Sequence, residues 1–406
     1  MLELRHVRQA PNPRRLISRA VSAPESGHAF GSAPVRIALD MLGGDGAPEV
    51  VVDAVPLILE RSPGVHLVLV GPADEIRPRL ADLGIDLDAA PRLSTVASSS
   101  AVGMADDPIQ CVRSQPDVSA RVATECVRDG RADAVVSVGH TGAAVASATL
   151  FLGRCPGATH PPLSVVVPSL AGPLVLLDVG AVMTNVRADD LLAYAVMGVA
   201  YAEALQESAD GSKAEGLGSD QIRVGLLTIG TESGKGDALR IAATAELERA
   251  APGMAFAYVG GVEGHDVALG AVADVVVTDG FTGNVLLKGL EGAAAWGAVV
   301  YGNAYPDPQP ARSVLDAVQA GPFAAGLLLG VDGVVVVGHG ASVAGSVASC
   351  VELAERAVRA QVVRKMTHRL QSLVDEHKGD PTRSDVHPGA LEYRDSRDPD
   401  VVEVLS

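Results

Sequence analysis

Aromatic side chains are scarce in this chain: Phe, Trp and Tyr make up 3% of its 406 residues, with a single Trp. A core must therefore be assembled from Val, Leu, Ile and Ala, and the 48% apolar content permits one. Cysteine is equally sparse. Cys111, Cys126, Cys155 and Cys350 are scattered without a Cys-x-x-Cys pair, which argues against a disulfide framework and for idle thiols in a reducing cytoplasm. Basic charge is also short, since 32 Lys and Arg against 49 Asp and Glu leave a net charge of −17. No surplus exists to neutralise the phosphates of a nucleic acid, although one phosphate-sized ligand in a local pocket is still allowed. No apolar run reaches the roughly 18 residues a bilayer span needs. Residues 1–33 hold five arginines and several prolines but no hydrophobic stretch, so they read as a disordered leader or an upstream start, not a secretory signal. His140 and His339 lie far apart without ligand spacing, so neither a metal site nor a cofactor is expected.

What the chain does contain is a regular alternation. Near-continuous apolar runs at Val35–Leu39, His66–Val70, Leu93–Val96 and Ala134–Val138 read as buried strands. Helical patterns at Pro48–Glu60, Ala73–Leu83, Val118–Asp129 and Thr141–Leu152 separate and follow them. The second half repeats the scheme. Strands are expected at Ser164–Val167, Leu174–Leu177, Val224–Ile229, Ala255–Val259, Asp274–Thr278 and Gly333–Val337. Helices are expected at Asp189–Gln206, Ala238–Arg249, from Thr282 onward and over Ser346–Leu373, with a surface loop at Glu207–Asp220 and a Pro-rich break at Asn303–Ala311. The pattern implies an α/β fold of three layers, a mostly parallel sheet with helices on both faces, occupying residues 34–375 and followed by a polar tail, 376–406.

Lysine is the rarest of the charged residues, five among thirty-two basic positions. One of them, Lys235, sits in RVGLLTIGTESGKGD (Arg223–Asp237), a strand, a glycine-punctuated turn and a helix start. Backbone N–H groups at such a junction hold an oxyanion, usually phosphate. The spacing Gly-x-x-x-Gly-Lys-Gly is one residue short of a nucleotide P-loop and lacks its Ser/Thr, which argues for phosphate and against an ATPase. Five further glycine-rich segments fall at strand ends: DMLGGDGAP (Asp40–Pro48), SVGHTGA (Ser137–Ala143), DVGA (Asp178–Ala181), TDGFTGN (Thr278–Asn284) and GHGAS (Gly338–Ser342). Ligands of open α/β sheets lie beyond the carboxyl ends of the strands, so the six loops are expected to share one cleft.

Taken in order, GGDGAP, ADAVVSVGHTGA, LLDVGA, YAVMGVAYA, VGLLTIGTESGKGD, ADVVVTDGFTGNVLLK and LLLGVDGVVVVGHGAS resemble the phosphate acyltransferase family of bacterial glycerolipid synthesis, PlsX, over Val35–Gln361. The resemblance implies acyl phosphate formation from an acyl carrier protein thioester and inorganic phosphate. It also implies a fold similar to isocitrate and isopropylmalate dehydrogenases, and a homodimer. That chemistry needs no enzyme nucleophile, because thiolate leaves readily and the protein has only to position phosphate and stabilise the tetrahedral oxyanion. Lys235 with the backbone of Gly230, Gly234 and Gly236 is the expected phosphate cradle. Thr231, Ser137, Thr141 and Ser342 add hydroxyl donors, beside Gly139, His140 and Gly142. His339 positions a proton or donates to the carbonyl, Lys288 reaches the same anion, and Asn284 bonds ligand or loop. Asp40, Asp45, Asp178 and Asp279, with Gly43, Gly44, Gly180 and Gly280, are expected to brace the loops. The bland alternatives are a solvated helix-surface lysine at 288 and a histidine that only satisfies local backbone at 339. A lysine at a helix start opposes the helix dipole, which makes a purely structural Lys235 a poor choice.

Several positions depart from the family's usual pattern: Gly46, His140, Val182, Thr184, Thr228 and Val337, with Gln115 and Val118 before Arg121. The stretch from Gly289 to Phe323 is shorter than the family's basic amphipathic hairpin and contains Pro306, Pro308 and Pro310. Neither an apolar face nor cationic attraction is evident there, so strong membrane binding is not expected. Basic residues of the final helix (Arg356, Arg359, Arg364, Lys365 and Arg369) either meet an acidic carrier or form a solvated face with Glu352 and Glu355. Two other classes stay open: a non-catalytic relative that keeps the anion site, and a metal- and NAD-dependent decarboxylating dehydrogenase. The second is disfavoured because no strand is followed by Gly-x-Gly-x-x-Gly with a downstream ribose-binding acid.

Overall fold

The computed structural model describes residues 33–206, 221–232, 234–305, 307, 309–320, 325–339 and 342–378. The chain opens with β1 (Val35–Asp40), α1 (Glu49–Arg61), β2 (Val65–Val70), α2 (Ala73–Asp82) and β3 (Leu93–Val96). It continues through α3 (Pro108–Ser114), α4 (Ser119–Arg128), β4 (Ala134–Ser137) and α5 (Thr141–Phe151). A second series follows: β5 (Leu163–Pro168), β6 (Pro173–Leu177), α6 (Ala188–Gln206), β7 (Arg223–Leu227), α7 (Ala238–Met254), β8 (Ala257–Val262), α8 (Gly264–Leu269), β9 (Val275–Val277), α9 (Gly280–Ala304) and α10 (Gln309–Ala320). The chain then runs through β10 (Ala325–Leu328), β11 (Val334–Gly338), α11 (Ala344–Arg359) and α12 (Val362–Lys378). The described residues divide into two compact units, a flanking one (33–163 with 325–378) and an inserted one (164–320).

In the flanking unit the strands lie in the order β3-β2-β1-β4-β11-β10. All neighbours are parallel except β10 against β11. β4 and β11 are buried along their whole length, which is why they read as unbroken apolar runs. Helix α11 packs on β1, β4 and β11 with α1 against it, while α4 on β1 and β4 and α5 on β11 form a second group, with α3 against α5. Two such groups place one helix layer on each face of the sheet.

In the inserted unit the order is β8-β7-β9-β6-β5, again parallel except for β5 against β6. Helix α6 is buried on nearly every side, consistent with its nearly uniform apolar sequence. The two units therefore share one spatial strand order, β2-β1-β4-β11-β10 matching β8-β7-β9-β6-β5. The chain enters it at different strands, β3 extends it in the flanking unit, and a side-chain clamp repeats with it. Arg36, early in β1, donates through Nη2 to Asp133 at 2.6 Å, just before β4, and through Nη1 to the Gly130 carbonyl at 2.6 Å. Arg223 at the start of β7 donates in the same way to Asp274 at 2.7 Å, just before β9, and to the Ala271 carbonyl at 2.7 Å. ADAVVSVGHTG and ADVVVTDGFTG are the sequence counterparts of this repeat.

Three expectations are corrected. The final helix is two helices, because Gln361 adopts a left-handed conformation (φ 53°) that turns the chain between α11 and α12 while the apolar pattern continues across the break. β8 starts at Ala257, since α7 runs on to Met254 and Ala255 caps it at φ 55°. The Pro-rich break expected at Asn303–Ala311 is present, between the end of α9 and the start of α10. α9 runs to Ala304, and Pro310 lies in the first turn of α10, where a missing N–H costs nothing. Finally, α9 does carry an exposed apolar face: Phe281, Val285, Trp296, Val299 and Val300 are each about half exposed or more, Trp296 reaching 71%. The short elements α3, α8, α10 and β10 add to the expected set. The leader (apart from Ala33), the loop Glu207–Asp220 and the tail beyond Lys378 lie outside the described residues. Among those residues no helix is long and apolar enough to cross a membrane.

Candidate active site

Each unit carries three of the six glycine-rich loops. In the flanking unit β1, β4 and β11 are mutually parallel, so DMLGGDGAP, SVGHTGA and the start of GHGAS leave from one carboxyl edge. In the inserted unit β6, β7 and β9 do the same for DVGA, TIGTESGKGD and TDGFTGN.

The inserted unit holds the lysine loop. Lys235 is exposed and lies between two left-handed glycines, Gly234 (φ 83°) and Gly236 (φ 102°), which bend the backbone on both sides of it. Its N–H donates to the Glu232 carbonyl at 3.1 Å. A Cβ at Gly230 would lie 3.3 Å from the Lys235 Cγ and 2.8 Å from a Glu232 carboxylate oxygen, so the lysine stem crosses that glycine. Thr231 is exposed in the same turn. Asp237 caps α7 by accepting from the Arg240 N–H at 2.9 Å. The Thr228 hydroxyl is buried and has no hydrogen-bond partner among the described residues.

Beside it, Asp178 is fully buried and accepts from three N–H groups of its own loop, Gly180 at 3.0 Å, Ala181 at 2.9 Å and Val182 at 2.7 Å. Asp279 caps α9 by accepting from the Thr282 N–H at 2.9 Å and its hydroxyl at 2.8 Å. Burial pushes this carboxyl up, but the bonds from Thr282 and from Arg240 outweigh it and hold the group below the usual carboxylate range. Asn284 donates to the Val179 carbonyl at 3.0 Å, so its amide joins TDGFTGN to DVGA. Gly280 donates to the Val182 carbonyl at 3.1 Å, and a Cβ there would lie 2.4 Å from that oxygen. Lys288 is exposed on α9 and paired with Glu291 at 2.9 Å, the ordinary setting of a helix-surface lysine.

In the flanking unit Asp40 is buried and accepts from the Leu42 N–H at 3.1 Å and the Ser137 hydroxyl at 2.7 Å. Burial raises its pKa against the opposing bonds from Ser119, Ser137 and the loop N–H groups. Ser137 departs from the expectation of a ligand-facing donor. It is 2% exposed, its proton is committed to Asp40, and its oxygen accepts from the Gly139 N–H at 3.3 Å. Gly43 and Gly139 meet backbone to backbone, a Cβ on Gly43 falling 2.8 Å from the Gly139 nitrogen. Gly44 is left-handed at φ 103°, and Asp45 is exposed. His140 caps α5 without a side-chain bond, and its Nδ1 is buried and unpartnered among the described residues. Thr141 and Gly142 form the first turn of that helix. His339 is exposed at the end of β11, and its carbonyl accepts from both the N–H and the hydroxyl of Ser342.

Arg240 escaped the sequence reading. It is buried in the first turn of α7 and bonded to Asp237, Thr278, Asp279, Thr282 and the Leu227 carbonyl. The signal was present, because a cation in the first turn of a helix is as anomalous as Lys235 beside it.

Residues 35–301 match the family described as fatty acid synthesis protein. The phosphate acyltransferase of Thermus thermophilus is 40% identical over 355 residues, covering 84% of this chain and 99% of that protein. That of Gloeobacter violaceus is 36% identical over 349 residues, covering 83% of this chain and 97% of its own length. The chain belongs to the phosphate acyltransferase family. For this family member the solved structures add the fold alone. The EutD phosphotransacetylase of Staphylococcus aureus aligns with a TM-score of 0.51 at 17% identity, over 81% of this chain and 94% of that one. A phosphotransacetylase from Streptococcus pyogenes aligns with a TM-score of 0.51 at 15% identity, over 82% and 94%.

Proposed function

We propose that this phosphate acyltransferase moves an acyl group from the thioester of an acyl carrier protein to inorganic phosphate. A phosphate oxygen attacks the thioester carbonyl and the carbon–oxygen bond forms. The tetrahedral oxyanion collapses, the carbon–sulfur bond breaks, and the carrier thiolate leaves and takes up a proton. The protein's share is orientation and charge stabilisation. The observation that carries the reading is Lys235, exposed between two left-handed glycines where a parallel strand hands over to the N-terminus of α7. There its charge and the helix dipole act together on one anion.

Gly230, Thr231, Gly234 and Gly236 line the same turn as the phosphate cradle, and His140, Thr141, His339 and Ser342 are candidates for the acyl side of the reaction. Asp40, Ser137, Asp178, Asp279 and Asn284 act by holding loops, since their polar atoms bond their own loop or a neighbouring one. The same reading includes a cytoplasmic homodimer and a fold akin to the isocitrate and isopropylmalate dehydrogenases. The changed positions Gly46, Val182, Thr184, Thr228 and Val337 mark a specialised member with its own acyl chain or carrier.

The test is release of free carrier thiol from acyl carriers with and without phosphate. Lys235→Ala is expected to lower the phosphate-dependent rate on the order of 10²–10³-fold, as for loss of one oxyanion donor. No phosphate-dependent release with any of several acyl carriers, or full activity in Lys235→Ala, refutes the reading. Sedimentation of the purified chain tests the dimer.

A further inference from the structure

Arg240 stands in two unfavourable settings at once. It is only 8% exposed, and it occupies the first turn of α7, where a positive charge opposes the helix dipole. A guanidinium is kept there only if it is well bonded, and each of its three nitrogens has a partner. Nε donates to the Leu227 carbonyl at 3.4 Å, the last residue of β7, and Nη1 donates to Asp237 at 3.0 Å, the cap of α7. Nη2 is shared by the Thr278 hydroxyl at 3.2 Å, the Thr282 hydroxyl at 3.1 Å and the carboxylate of Asp279, the cap of α9. One planar side chain thus fastens the heads of two helices that follow the adjacent parallel strands β7 and β9. It also forms the floor under the lysine turn. A Cβ on Gly236 would lie 2.7 Å from the Arg240 Cβ, so the backbone next to Lys235 rests directly on this residue.

We propose that Arg240 is a positioning residue for the bound phosphate, holding the Lys235–Gly236 segment and the head of α9 at a fixed separation. The proposal rests on the acyl-transfer reading above and specifies how its phosphate cradle is kept in register. An ammonium on a flexible stem cannot reach Leu227, Asp237 and Asp279 together, so Arg240→Lys keeps the charge and loses the brace. Arg223 offers a matched control, because it makes a comparable bidentate pair with Asp274 at 2.7 Å and 3.1 Å at the opposite end of β7.

The experiment measures thiol release by the full chain against both phosphate and acyl carrier. Arg240→Lys is expected to raise the phosphate KM on the order of tenfold, with the carrier KM within about twofold of wild type, as for a misplaced binding group. Arg223→Lys is expected to lower the melting temperature while both KM values stay within about twofold. If Arg240→Lys does not fold, Asp237→Asn, which keeps a capping oxygen but drops the ion pair, is expected to raise the phosphate KM about threefold. An unchanged phosphate KM in the folded Arg240 variant, or in Asp237→Asn when that variant does not fold, overturns the proposal. An equal rise in Arg223→Lys also overturns it. A wild-type protein without phosphate-dependent release sinks the acyl-transfer reading instead. Calorimetry then decides the role of Arg240: a tenfold loss of phosphate affinity in Arg240→Lys upholds it, and equal affinity, or no wild-type binding, overturns it.

Discussion

Asp178 and Asp279 sit at the ends of parallel strands in the same unit, yet they are held in different ways. Asp178 is enclosed by three N–H groups of its own loop. Asp279 is shared between the first turn of α9 and the guanidinium of Arg240. The depressed pKa of Asp279 carries a pH dependence whose sign is determined. A carboxyl with a folded-state pKa below its unfolded value of about 3.9 adds stability that is fully present above that value and is lost as pH falls through the folded one. The stability gap between wild type and Asp279→Asn is therefore expected to be open at pH 6 and to narrow below about pH 4. Urea midpoints across that range check it, and a gap independent of pH removes the ionised carboxylate as its source. At this scale the sequence identified which residues sit at strand ends. It did not reveal that the Ser137 hydroxyl is spent on Asp40, because the partner is 97 residues away and reaches it only through pairing of β1 with β4.

Helix α9 joins two environments, and its glycines separate them. Gly283, at its head, lies against the DVGA loop, where a Cβ would come within 1.8 Å of the Asp178 carbonyl. Gly289, less than two turns on, would meet nothing within 4 Å. The same substitution should therefore act in opposite directions on one helix. Gly289→Ala is expected to stabilise by about 0.5–1 kcal/mol through helix propensity alone. Gly283→Ala is expected to destabilise by about 1–3 kcal/mol, because the helix head must move off the loop. Urea unfolding of the two variants measures both, and two changes of equal sign would show that the close approach at Gly283 is not what holds the helix head. Residue types alone do not distinguish these glycines, whereas the packing does. The apolar face of α9 was hidden for a similar reason. Phe281, Val285 and Trp296 are spread over four turns with glycines and polar residues between them, and a Pro-rich break follows the helix.

Over the whole molecule the shared strand order is braced by different side chains in its two copies. At the carboxyl edge of the flanking unit a buried acid, Asp40, ties one loop to the next. At that of the inserted unit a buried base, Arg240, does so, paired with Asp237 and Asp279, and Lys235 is the exposed cation of the same segment. Phosphate should therefore stabilise the protein through the inserted unit. At a hundred times its dissociation constant it is expected to add about 2.7 kcal/mol to the unfolding free energy. A melting temperature that climbs with phosphate in wild type and stays flat in Lys235→Ala is the expected result, and an equal climb in both places the anion elsewhere.

The alternation of strands and helices, the six glycine-rich strand ends and the anomalous lysine were legible in the sequence, because apolar period and turn chemistry are written in consecutive residues. Tertiary structure alone decided which polar groups remain to meet a ligand. Asn284 is bound to a carbonyl 105 residues away and Arg240 to a carboxylate 39 residues away, and such partners exist only once parallel strands bring distant loops to one edge.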